Sequence, residues 1–270
     1  MNTKPKILVL GATGDVGRLL RAAPVPALTQ TAIWHSRTGL GANWGWDILN
    51  EDPSDVAFDA VLHLARGGSV AQEVEIAQRV CDLADGRPVL FASSQAVYGV
   101  QDGPIPEAVP LRPNTPYGEA KAAAEKIISA YSNGLSLRIG NVAGADMLFK
   151  AMTAGPVVLD QFEDGTGPQR SYIGPSTFAA TVAILCDKMA SGSITSSVLN
   201  IANPGTVAMS DCLDRAGADW AWKTAPPNAM QSLELDTTKL QEFVPLDVTK
   251  AAELVTEARQ ASWRPYHDIV

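Results

Sequence analysis

The chain of 270 residues holds only three cysteines and three histidines, and no long apolar run. Cys81, Cys186 and Cys212 are odd in number and far apart, which suits a reducing compartment and argues against a disulfide framework. With no His/Cys cluster, a structural metal is not expected. A membrane helix needs roughly 18–20 consecutive apolar residues, and none is present. The apolar stretch at 7–10 is also too short for the core of a signal peptide. These absences predict a cytoplasmic protein without a membrane partner. Cations are in the minority, with 21 Lys and Arg against 29 Asp and Glu and a net charge of −8. No basic run exists, so nucleic acid is not an expected partner. At 46% hydrophobic residues, the chain can bury the core of one large domain, or of a domain with a small lobe.

What is present is alternation. Short apolar runs at 7–10, 32–35, 60–64, 89–93 and 135–139 read as strands, and 15–23, 70–83 and 116–132 read as helices. That order implies right-handed crossovers and a parallel sheet covered on both faces, an α/β fold. The last of these helices is well punctuated, with Thr115 as N-cap, Pro116 in the first turn and Asn133-Gly134 as a stop. The proline-rich stretch 99–116 reads as an ordered loop leading into it. Beyond Gly140 the pattern loosens, apart from a helix at 175–190 and a strand at 198–201.

The segment Gly11-Ala12-Thr13-Gly14-Asp15-Val16-Gly17 follows the first strand and opens a helix. Glycines three apart let the backbone turn tightly and approach a pyrophosphate, whose charge sits at the helix N-terminus. The second strand ends His35-Ser36-Arg37. A carboxylate there would accept hydrogen bonds from the adenosine ribose and repel a 2′-phosphate. Ser36 and a guanidinium, which can grip phosphate through two hydrogen bonds, instead favour NADP over NAD. Tyr117 and Lys121 stand four apart, so on a helix they share a face and point into one site.

In these segments the chain resembles the extended short-chain dehydrogenases/reductases, the NAD-dependent epimerase/dehydratase family. Its glycine loop is similar to that family's Gly-x-x-Gly-x-x-Gly form. Asp47-Ile48 resembles the Asp-Leu pair that contacts adenine after the third strand, and Val61-Leu62-His63-Leu64-Ala65 the fourth-strand segment beside the cofactor. Ser94, four residues before Tyr98 of Val-Tyr-Gly, falls on the family's catalytic serine. Pro113 to Tyr117-Gly118 resembles the lead into Tyr-x-x-x-Lys, and Arg138 to Gly144 the Arg-x-x-Asn-Val-Tyr-Gly segment.

The resemblance implies a Rossmann-type doubly wound parallel sheet with a smaller C-terminal substrate lobe. Residues 1–140 plus about 175–202 would form the dinucleotide-binding domain, and 141–174 plus 203–270 the lobe. It implies hydride transfer at a hydroxyl/carbonyl carbon of a small carbonyl or sugar-like molecule. Tyr117 would be the acid/base, Lys121 would hold the nicotinamide ribose and favour the phenolate, and Ser94 would hydrogen-bond the carbonyl oxygen. Gln95, Asn141 and Arg170 are candidate substrate contacts. Dimerisation is common in the family and is a further expectation.

Departures from the family pattern narrow the substrate. Arg170-Ser171-Tyr172-Ile173-Gly174-Pro175-Ser176-Thr177 lacks the acids of the corresponding Arg-Asp-Tyr-Ile-His-Val-Asp-Asp segment, and 141–170 is short for a chain that encloses a UDP-sugar. Gln95-Ala96 replaces the Asp-Glu of the family's dehydratases, which disfavours dehydration. The alternatives are a nucleotide-sugar epimerase that retains its NAD(P) and, from another class, a non-catalytic dinucleotide-sensing regulator.

Overall fold

A computed structural model describes residues 4–268, except 52, 54, 55 and 102. Met1 to Thr3, and so the start of the N-terminal segment, lie outside the described residues. The apolar runs form one parallel sheet of seven strands, numbered here among themselves: β1 (Ile7–Leu10), β2 (Ala32–Ser36), β3 (Trp44–Gly45), β4 (Ala60–His63), β5 (Val89–Ser94), β6 (Gly134–Ile139) and β7 (Val198–Ile201). Their order is β7-β6-β5-β4-β1-β2-β3. Every pair is parallel.

Successive residues of a strand point to opposite faces. Ile7 and Val9 therefore join one core cluster, with Leu20, Leu62 and Phe178. Leu8 and Leu10 join another, with Ile76, Val80 and Ile128. The helix Val70–Ala84 packs against Pro116–Ala130 in the second cluster, and Asp15–Ala22 packs against Pro175–Ala190 in the first. Burial on both faces is why these strands read as mostly apolar runs rather than as an alternating pattern. The cap at Thr115 forms: its Oγ1 accepts the Gly118 N–H at 3.1 Å. All three cysteines are buried and free, and burial pushes the Cys81 thiol up to about 11 and Cys212 to about 12. Among the described residues, no helix is long and apolar enough to cross a membrane.

Among the described residues, three smaller sheets lie outside the main one. Asn141–Val142 pairs with Tyr172–Ile173, Val157–Gln161 pairs with Trp220–Thr224, and Gln169–Arg170 pairs with Ser232–Leu235. The 99–116 loop also carries a two-residue strand, Pro104–Ile105, paired to Glu234 and Leu235.

A buried polar cluster ties these parts together. Arg138 on β6 donates from Nη2 to Glu125 Oε2 at 2.8 Å and from Nη1 to Tyr98 Oη and the Glu107 carbonyl, both at 3.0 Å. Glu125 also accepts from the Ser93 hydroxyl. The Tyr98 hydroxyl donates to Asn200 Oδ1 on β7 at 2.7 Å.

Candidate active site

Two cavities of about 310 Å³ each lie along the C-terminal ends of the strands, where open α/β sheets hold ligands. They share Gly11, Gly14, Leu64 and Arg66 as walls. The first also brings together Asp15, Val16, Gly17, Ser94, Tyr117, Lys121 and Asn141. The second brings together Thr13, Ser36, Arg37, Asp47, Ile48 and Ala65. Of the residues singled out from sequence, Gln95 and Arg170 line neither cavity.

Glycine at position 11 is dictated by geometry. Its φ is +90°, and a Cβ there would lie 2.7 Å from the Ala65 nitrogen and 2.8 Å from the Leu64 carbonyl carbon. The loop after β1 thus rests directly on the end of β4, and a side chain would close the cradle between them. Gly11→Ala is expected to cost roughly 2 kcal/mol or more from the left-handed backbone and the clash. It should also abolish stabilisation by added dinucleotide, read as the melting temperature with and without NADPH.

Asp15 stands at the N-terminus of its helix, where a carboxylate is favoured by the helix dipole. Lys150 Nζ lies 2.5 Å from Asp15 Oδ2 and Arg18 Nη2 lies 2.6 Å from Oδ1, and these hydrogen bonds, Lys150's first, hold the carboxyl below its usual range. The acid is therefore counterbalanced where a pyrophosphate would sit. In the second cavity His35 packs against buried Trp46 with 3.8 Å between ring centroids and the rings tilted by 47°, and its Nε2 meets the Trp46 carbonyl at 2.9 Å. Asp47 caps its own loop, accepting from Leu49 N–H at 3.0 Å and Asn50 Nδ2 at 2.8 Å. Exposed Arg37 closes the end of this cavity. The cradle, the paired cavities and the basic end of β2 fit a dinucleotide. Among the described residues, no group of His, Cys, Asp and Glu is arranged to hold a metal ion.

The two serines that end β5 face opposite ways. Ser93 is engaged by Glu125, whereas Ser94 Oγ accepts the Ala96 N–H at 3.2 Å and hydrogen-bonds Tyr117. Tyr117 is 38% exposed, and burial, opposed by the Ser94 hydrogen bond and the Arg66 charge, raises its phenol above the ordinary value. The Arg66 guanidinium sits 4.7 Å from the centre of the Tyr117 ring. Lys121 is fully buried, 4.7 Å from the centre of the Phe91 ring, and its Nζ is 2.7 Å from Glu73 Oε1. A carboxylate thus pairs with the ammonium that is expected to favour the phenolate.

On the far wall a polar chain runs outward from Gln95. Its Nε2 donates to Asn141 Oδ1 at 2.9 Å, Asn141 hydrogen-bonds Tyr172, and the Tyr172 hydroxyl donates to Asp146 Oδ2 at 2.9 Å. Burial pushes Asp146 up to about 6. Arg170 is directed elsewhere: its guanidinium donates to the carbonyls of Gln169, Met230 and Gln231 at 2.7, 2.8 and 3.1 Å, joining neighbouring strands. Glu73, Arg66 and Asp146 escaped the sequence reading. For Glu73 a signal existed: it lies three before Ile76, on the buried stripe with Ala77 and Val80.

The model of the NAD dependent epimerase/dehydratase family matches residues 7–166. A UDP-glucose 4-epimerase of Streptomyces lividans is 30% identical over 175 residues, 52% of this chain and 53% of that protein. One from Lactobacillus helveticus is 35% identical over 112 residues, 34% of each. The matched region thus spans about half the length of the first relative and a third of the second. In fold, the chain is similar to the UDP-glucose 4-epimerase from Brucella ovis in complex with NAD, with a TM-score of 0.77 at 20% identity over 96% of this chain and 99% of that one. It is also similar to TunA, an NAD-dependent NDP-hexosamine 5,6-dehydratase, with a TM-score of 0.73 at 21% identity over 98% of this chain and 100% of that one. The Rossmann-type sheet, the glycine loop and the matched family model make this chain a member of the NAD-dependent epimerase/dehydratase family, of the extended short-chain dehydrogenase/reductase type.

Proposed function

We propose that the protein is an NAD(P)-dependent oxidoreductase that interconverts a hydroxyl and a carbonyl on a small organic substrate, with Tyr117 as acid/base. The observation that carries this reading is the meeting of Ser94, Tyr117 and Lys121 in one cavity that adjoins the glycine-loop cavity. Gly11, Gly14 and Gly17 would hold the pyrophosphate, Asp47 and Ile48 the adenine end, and Lys121 the nicotinamide ribose. A bound nicotinamide dinucleotide supplies the hydride chemistry. Tyr117 Oη exchanges the proton with the substrate oxygen, and Ser94 Oγ hydrogen-bonds that oxygen and stabilises its developing charge. Asn141, which lines the cavity and accepts a hydrogen bond from Gln95 behind it, would face the rest of the substrate.

Ser36 and Arg37 support NADP as the preferred cofactor. NADPH should bind the wild type more tightly than NADH, and Arg37→Ala should weaken NADPH about tenfold, the worth of one charge-assisted hydrogen bond, with little effect on NADH. Equal wild-type affinities in a fluorescence titration would end this preference. The names of the curated relatives favour a second reading, an epimerase that oxidises and re-reduces one sugar carbon. An epimerase must retain its cofactor, whereas a reductase must exchange it, so tightly bound dinucleotide on the purified protein separates the two. A screen of aldehydes, ketones and keto-sugars for NADPH oxidation tests the activity itself. Consumption with at least one carbonyl class is expected, and none across the panel would reject the oxidoreductase reading.

A further inference from the structure

Glu73 belongs to none of the roles above, yet it touches the centre of the site. Its side chain is 3% exposed and lies 2.7 Å from the Nζ of Lys121, itself 2% exposed. Its second oxygen accepts the Gly67 N–H at 2.6 Å. One carboxylate therefore binds the site's lysine and pins the loop whose residues Leu64 and Arg66 wall both cavities. The seat is tight: a Cβ on Gly67 would come within 2.6 Å of the Glu73 nitrogen. Desolvating two charges often cancels their attraction, so stability alone does not account for a buried pair at this place.

Resting on the oxidoreductase reading, we propose that Glu73 is a positioning residue that neutralises Lys121, keeps Tyr117 as a phenol and so biases the site toward carbonyl reduction. The charged and titratable groups around the pair are few. Lys121 and Glu125 come from the helix Pro116–Ala130, Glu73 from Val70–Ala84, His63 from β4, and Arg66 from the loop that follows it. His63 is fully buried with neither ring nitrogen hydrogen-bonded, and burial, aided by the Lys121 charge, pushes it down to about 3, so it adds no cation. Glu125 is bound to Arg138. Arg66 is the neighbour that favours the phenolate, and the Glu73 charge opposes it.

In carbonyl reduction a bound reduced dinucleotide would supply the hydride to the carbonyl carbon, and Tyr117 Oη would give its proton to the carbonyl oxygen. The phenolate left behind regains a proton from bulk water. The reverse step needs the phenolate first, and Glu73 disfavours it.

Phenolate absorbance tests this without any substrate. The pH titration of the wild type minus that of Tyr117→Phe isolates one phenol, and its midpoint should lie at or above the free value of about 10. In Glu73→Gln the midpoint should fall by about one pH unit, a tenfold gain in phenolate at a given pH, because the acid is gone and any charge on Lys121 is unopposed. Glu73→Asp, which keeps the charge, should stay near the wild type. An unchanged midpoint in natively folded Glu73→Gln overturns the proposal, as does an equal fall in Glu73→Asp. If Glu73→Gln does not fold, the wild-type midpoint decides, and a value well below 10 overturns it. The oxidoreductase reading fails separately, if Tyr117→Phe reduces carbonyls at the wild-type rate.

Discussion

Tyr117→Phe is expected to lower kcat/KM for carbonyl reduction by about a thousandfold while leaving dinucleotide affinity within about twofold. A positioned acid contributes on the order of 10²–10⁴ in rate, and under the proposed function the Tyr117 hydroxyl gives its proton to the substrate oxygen that Ser94 would bind. Phenylalanine keeps the ring that packs beside Arg66 and Lys121, so the walls of the site stay in place. The wild-type pH profile carries the same signature. Because the phenol lies above its ordinary value, the reduction rate should hold across neutral pH and fall only as the solution passes that raised midpoint. Steady-state kinetics with the acceptor found in the screen, beside a cofactor titration of both proteins, checks the split between rate and binding.

Arg138→Met should destabilise the fold by about 3–5 kcal/mol, the usual consequence of leaving a buried charge without its partner. Arg138 donates to Glu125, Tyr98 and the Glu107 carbonyl, and both members of its ion pair are 8% exposed. Without it, Glu125 keeps only the Ser93 hydroxyl among these partners. The double variant Arg138→Met, Glu125→Gln removes both charges and should recover a good part of the loss. The 99–116 loop depends on the same cluster, since Glu107 accepts the Asn200 N–H at 2.9 Å and Asn200 Nδ2 donates to the Ile105 carbonyl at 2.8 Å. Denaturant melts of the two single variants and the double variant measure the coupling.

How much of this could be read from the chain follows from burial. The long strands of the main sheet are covered on both faces, so each leaves a mostly apolar run, interrupted where a buried polar side chain such as Ser136 or Arg138 finds its place. Trp44–Gly45, at the sheet edge, has two exposed residues and leaves no such run. The pairing of Pro104–Ile105 with Glu234 and Leu235 joins segments 130 residues apart, and two-residue strands have no period to detect. The glycine loop, Ser94, Tyr117 and Lys121, which the structure brings to two adjoining cavities, stand out in the sequence because each belongs to a fixed spacing of residue types. Glu73 and Glu75 show the limit. Two residues apart in a run of helix formers, both resemble solvated acids. Glu75 is exposed and pairs loosely with Arg79 at 3.8 Å, whereas Glu73 is buried against Lys121 because it falls on the inward stripe of its helix. Arg170 shows the converse, since a basic residue in a glycine- and proline-rich segment suits an anion site, but carbonyls from two neighbouring stretches of chain claim its guanidinium.

Net redox chemistry at Tyr117 is tested most directly by the fate of the cofactor's hydride. The wild type is mixed with a carbonyl acceptor and reduced dinucleotide carrying deuterium at the transferable position of the nicotinamide. One cofactor oxidised per alcohol formed, with deuterium on the new carbinol carbon, is the predicted result. Product that forms while the cofactor stays reduced and keeps its label would contradict it.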